Sequence, residues 1–132
     1  MNLDISKIVY VSELPGLYEI ITPRVDGVIV RDPTSGKKRF ISMRRYNIVP
    51  LHSISIFTSR DAVELKSVFR RMTEQFEDNP PPAVDADEET LRSYFEEIVP
   101  DYDPHRVSVG DIRKIIRWYH FLKEHGYIAG EE

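Results

Sequence analysis

The sequence predicts an α+β protein: an N-terminal five-stranded SH3-like small β-barrel, a connecting helix and a C-terminal helical module. Up to Phe57 the apolar residues come in short runs separated by turn residues, whereas beyond it they recur at helical spacing. A third feature, the run Pro80-Pro81-Pro82, interrupts the helical half. Three consecutive prolines fix φ and remove three N–H donors, so no helix passes through them.

Five strands are expected in the front half: Ile8 to Val11, Leu17 to Thr22, Val28 to Val30, Arg39 to Met43 and Ile54 to Phe57. Each is rich in β-branched or aromatic side chains, which suit a pleated surface. Pro15-Gly16, Asp26-Gly27 and Pro33-Thr34-Ser35-Gly36 supply the turns between them. Strands this short and this closely spaced point to a small barrel, with an open five-stranded sheet as the alternative. Closure would remove the exposed edges that so short a chain has little else to cover.

In the back half, Leu65, Val68, Phe69, Met72 and Phe76 form one helical stripe, with Asp61 as the expected N-cap and Glu64 at capping-box spacing. A second helix opens near Asp85 to Asp87, where acids favour the positive end of the dipole. It buries Leu91, Tyr94, Phe95 and Ile98, and Pro100 closes it. Ser108 caps a third helix with Asp111 three residues on, and Gly126 offers a left-handed terminus. Ile112, Ile115, Ile116, Trp118, Tyr119, Phe121 and Leu122 cover more than half of this last helix's circumference. So wide an arc requires two neighbours, or one neighbour and a partner. The expected organisation is a barrel at 1–59, a connecting helix at 60–77, a Pro-rich linker at 78–86 and a helical module at 87–132.

The chain has 132 residues, 41% hydrophobic and 30% charged, which is an ordinary globular balance. It contains no cysteine, which excludes disulfides, thiol nucleophiles and thiolate metal sites. A domain this small without staples is expected in a reducing cytoplasm. Its first residues lack a signal-peptide pattern, and no apolar run is long enough to span a bilayer. The net charge is −4, unevenly spread. Eight bases oppose five acids up to Ser59, while eleven acids stand between Glu74 and Asp103 against Arg92 alone. Such asymmetry suggests contact between the halves, separate partners or simply solvated faces.

Pro15-Gly16-Leu17-Tyr18, Gly27 to Val30, Lys38-Arg39-Phe40 and Ile54 to Thr58 resemble the N-terminal module of an uncharacterised bacterial family typical of Bacteroidetes. Leu91 to Phe95, Pro100 to Asp103, Arg106-Val107, Asp111 to Lys114 and Trp118-Tyr119 resemble its C-terminal helical module. The resemblance implies two modules of unknown function and supplies no catalytic residues.

Chemistry is sparse. Ser35-Gly36-Lys37-Lys38 fails as a phosphate loop, because Arg31 replaces the first glycine and Lys38 the Ser/Thr that reaches Mg²⁺. No serine lies in a nucleophile-elbow pattern, and His52, His105, His120 and His125 are scattered. Asp101, Asp103 and His105 are the weak metal candidate, since in an extended segment the three would point the same way. Lys37, Lys38, Arg39, Arg44 and Arg45, with Phe40 and Tyr46 interleaved, are the nucleic-acid candidate. A pI near 5.6 and the acid-rich half oppose it. Trp118 and Phe121 are the partner-binding candidates. The expected function is a non-enzymatic adaptor or regulatory module binding a protein partner, with no cofactor; the alternative is RNA or DNA binding through the basic hairpin.

Overall fold

The computed structural model describes residues 5–14 and 16–128. Pro15 of the expected Pro15-Gly16 turn, residues 1–4 and residues 129–132 lie outside the described residues. The chain is α+β. Strands β1 (Ile8–Val11), β2 (Leu17–Arg24), β3 (Gly27–Arg31), β4 (Lys38–Ser42) and β5 (Ile48–Pro50) lead into a 3-10 turn at Leu51–Ser53. A hairpin of β6 (Ser55–Phe57) and β7 (Ala62–Glu64) follows, then α1 (Leu65–Glu74), α2 (Glu88–Ile98) and α3 (Val109–Glu124).

The first five strands form one antiparallel sheet in the order β4-β3-β2-β1-β5. Its fifth member is Ile48–Pro50, not the expected Ile54 to Phe57 segment, which pairs instead with β7. A three-residue strand ending in proline gives almost no alternation to read, yet proline suits an edge strand that has one side unpaired. Strands β4 and β5 are the two edges, and no ladder joins them among the described residues.

Both faces of the sheet are used. On one, Val9, Val11, Tyr18, Val30 and Ile41 form a small cluster flanked, among the described residues, by Leu14, Ile20, Val28, Tyr46 and Ile48. All of these come from the sheet and its loops. The register agrees: Val9 faces Tyr18, and Val28 faces Ile41. The other face contributes Ile8 and Leu17 to the main core, which continues through Leu51, Ile56, Leu65, Phe69, Phe95, Ile116 and Tyr119. One hydrophobic core therefore spans both halves of the chain.

The helices follow their stripes. Helix α1 buries Leu65, Val68, Phe69 and Met72, but begins later than its N-cap signal implied. Asp61 instead closes the β6–β7 turn, where its N–H donates to Thr58 Oγ1 at 3.0 Å and its carbonyl accepts from Thr58 N at 2.9 Å. Glu64 occupies the N-cap position and makes no side-chain cap. Helix α2 is capped by Asp87, whose carboxylate accepts from Thr90 N at 2.9 Å. Helix α3 has the full capping box, with Ser108 and Asp111 each accepting the other's backbone N–H. It ends at Gly126, φ +82°, beyond which Tyr127 N donates back to Leu122 O at 2.9 Å.

The wide apolar arc of α3 packs on both sides. Tyr119 meets Phe69 and accepts or donates a 3.0 Å bond with Thr73 Oγ1 of α1, while Trp118 packs on Tyr10 of the sheet. The proline linker is pinned too, because Arg113 donates to the carbonyls of Val84 and Ala86, the latter at 3.1 Å.

Candidate binding groove

The residues singled out for their chemistry are not assembled by the fold. In β4 the alternation of a strand separates the basic cluster, since Lys38 and Phe40 point to one face and Arg39 to the other. Arg44 and Arg45 lie in the turn after β4, seven and eight residues beyond Lys37. Lys37, Lys38, Arg39, Phe40, Arg44 and Arg45 are exposed, while Tyr46 is half-buried against the small cluster. The five cations therefore line the length of an edge strand rather than a patch. The acid-rich α2 packs on α1 and α3, and β4 is the edge of the sheet remote from β1.

The metal candidate fails for a geometric reason. Tyr102 bridges Thr58 in extended pairing, but residues 104–106 turn, with Asp103 Oδ1 accepting from His105 N at 2.9 Å and Asp103 O accepting from both Arg106 and Val107. The turn takes His105 off the line of Asp101 and Asp103, and among the described residues no group of three His, Cys, Asp or Glu could hold a metal ion. The loop is instead structural. Its Asp103 N–H donates to Phe57 O at 2.9 Å, and Ser59 N donates to Asp101 O at 2.8 Å, tying α2–α3 to the β6–β7 hairpin.

What the fold does assemble is a groove where the sheet meets α3. Trp118 is 7% exposed, its ring 5.4 Å from that of Tyr10 and tilted by 53°. Most of the Trp118 ring is thus core, and Phe121 beside it is half-buried. Lys114, one turn before Trp118, holds its ammonium 5.0 Å from the Tyr10 ring centre and 6.0 Å from that of Trp118. Two cavities share these three residues. One, of about 310 Å³, extends past Val49, Ile54, Phe57, Arg106 and Ile115. The other, of about 350 Å³, extends past Leu14, Gly16, Leu17, Arg117 and Phe121. Their remaining linings are disjoint, so the Tyr10–Lys114–Trp118 stack is the ridge between them.

Phe57 is 40% exposed, and the Arg106 guanidinium lies 3.7 Å from its ring centre. Cations over aromatic faces are held by the ring quadrupole and keep their charge available to a ligand. Arg106, Lys114 and Arg117 make no ion pair among the described residues. Asp111 is the one acid in the lining among the described residues, and its carboxylate accepts from the Ser108 N–H. A second polar cluster stands at the far end of α3, outside the groove. Arg31 pairs with Glu19 and donates to the Tyr127 hydroxyl at 3.1 Å, and that hydroxyl donates to Glu19 at 3.1 Å. Burial, reinforced by Glu19, raises the Tyr127 pKa.

Sequence reasoning named Trp118 and Phe121 but missed Tyr10, Phe57, Arg106, Lys114 and Arg117. Lys114 four residues before Trp118 was the available signal, since that spacing puts both on one helix face.

The fold and the groove define a two-part α+β protein whose sheet and helical module share one core. The chain belongs to the family described as Domain of unknown function (DUF6852), which matches residues 54–122, just over half its length. Residues 5–51 match Domain of unknown function (DUF5606), so the expected uncharacterised two-module family is the one found. The chain is similar to a Bacteroides vulgatus protein solved by solution NMR as a structural genomics target, with 27% identity and a TM-score of 0.72. That similarity covers 96% of this chain and 90% of the other. No curated protein matches the chain. No helix among the described residues is long and apolar enough to cross a membrane.

Proposed function

We propose that this protein is a non-enzymatic binding module and that a protein partner engages the groove between the sheet and α3. The observation that carries the reading is the stack of Lys114 over Tyr10 and Trp118, with Arg106 over Phe57 beside it. It combines an apolar floor, aromatic anchors and cations with no ion pair among the described residues, the makings of a recognition surface. Asp111, the one carboxylate in the lining among the described residues, is engaged in the helix cap and leaves the cations to an incoming ligand. The five cations of β4 and its following turn support nucleic-acid binding less well, because the strand alternation divides them.

We read the sheet as a small SH3-like barrel left open between β4 and β5. The meandering order with β5 returned to β1, and a face buried, among the described residues, by side chains of the sheet and its loops, support this. The division into sheet module, connecting helix at 60–77, linker at 78–86 and helical module at 87–132 serves as the working scheme. The test is a comparison of two variants of the full chain against a partner recovered from the native cell. Lys114→Glu with Phe57→Ala should abolish binding, while Lys37, Lys38 and Arg39 changed together to Ala should leave it intact. The opposite pattern would move the interface to β4 and overturn the proposal.

A further inference from the structure

We infer that the groove takes an extended acidic peptide segment in which apolar or aromatic residues alternate with carboxylates; this rests on the reading above that a protein partner binds there. The protein carries net charge −4, yet three cations, Arg106, Lys114 and Arg117, stand around one groove with no carboxylate paired to them among the described residues. Leaving charge unpaired beside an apolar floor favours an occupant of the opposite sign. The ligand is therefore anionic.

The cavities set its shape. At about 310 and 350 Å³, each is near the lower bound of small-molecule sites and holds one bulky side chain rather than a folded surface. In an extended chain, alternate side chains point the same way, about 6.6–6.8 Å apart. Two such residues can straddle the Tyr10–Lys114–Trp118 ridge and fill both cavities. The residues between and beside them face outward, at the rim where Arg106 and Arg117 are exposed. Those outward positions are where carboxylates belong.

Nucleic acid fits the same groove less well. A base would need a free aromatic face, but Lys114 already lies over Tyr10 and Arg106 over Phe57. A carboxylate can meet either cation where it stands and displace nothing. Charge-assisted hydrogen bonds of that kind are the strong ones.

The experiment selects a library of random heptapeptides on the intact protein and repeats the selection on Lys114→Glu. Lys114 lies over the Tyr10 and Trp118 rings and makes no hydrogen bond or ion pair among the described residues, so the variant is expected to keep the parent circular-dichroism spectrum. The parent should enrich peptides that alternate aromatic or aliphatic residues with Asp or Glu. Lys114→Glu should bind them at least tenfold more weakly and select lysine or arginine at the same positions. An uncharged or basic consensus on the parent, still weakened by Phe57→Ala, would overturn the acidic assignment and leave the groove as the binding site. Enriched peptides indifferent to both Lys114→Glu and Phe57→Ala would overturn both. Single-stranded RNA binding at the groove in preference to the selected peptides would also refute the peptide assignment.

Discussion

Trp118→Ala removes the ring on which the groove and the sheet–helix contact both depend. A tryptophan buries on the order of 200 Å², and this one is only 7% exposed. At about 25 cal/mol per Å² that area is worth about 5 kcal/mol. The remaining methyl retains roughly a quarter of it, leaving about 4 kcal/mol. Water can enter the vacated space from the two adjoining cavities, which keeps the added void penalty small and the expected loss at about 4 kcal/mol. For a chain of this size that is a fall in Tm of about 10–15 °C. Because Trp118 is the sole tryptophan, unfolding must be followed by far-UV circular dichroism in urea rather than by indole emission. A loss below about 1 kcal/mol would mean the ring does not seal the sheet against α3, and the packing of the wide apolar arc would have to be reassigned.

Gly27→Ala should cost about 3 kcal/mol or more, since its Cβ would lie 2.1 Å from the Ile41 carbonyl and 2.8 Å from the Phe40 ring; a urea midpoint close to wild type would show that β3 and β4 can separate freely there. Ser108→Ala should cost about 1 kcal/mol by removing the acceptor for Asp111 N, read as a lower urea midpoint with unchanged slope. Burial raises the pKa of Tyr94, with nearby Tyr119 adding to it, and burial also raises those of Tyr119 and Tyr127. These phenols stay protonated in the fold beyond the value near 10 expected of the unfolded chain. Their contribution is thus fully present below about pH 10 and is lost as pH rises through the folded values. Tyr94→Phe deletes a buried hydroxyl that has no hydrogen-bond partner among the described residues, so stability at neutral pH should hold or rise by about 1 kcal/mol. The alkaline loss should flatten in the same variant, and an unchanged alkaline limb would assign the loss to other groups.

The helices were legible because their information is local. Leu91, Tyr94, Phe95 and Ile98 fall on one face whatever the helix packs against, and Ser108 with Asp111 announces the start of α3 within four residues. The start of α1 was misplaced because Asp61 carries the same composition signal in a β6–β7 turn as it would at an N-cap. Strand β5 was invisible for a different reason: Ile48, Val49 and Pro50 become a strand only by pairing with Val11, Tyr10 and Val9 of β1. The groove was least legible of all. Tyr10, Phe57, Arg106 and Lys114 come from two strands, a loop and a helix, and no spacing in the sequence connects them. The basic cluster was the reverse case. It stands out in one dimension, and the pleat disperses it in three.

The most direct measurement of where this protein binds is amide chemical-shift mapping of the full chain as a selected acidic heptapeptide is added. Binding in the groove predicts the largest shifts at Tyr10, Phe57, Arg106, Lys114 and Trp118, with the Trp118 indole N–H among them. Shifts concentrated at Lys37 to Ile41 and at Arg44 to Tyr46, with the groove amides unmoved, would contradict it.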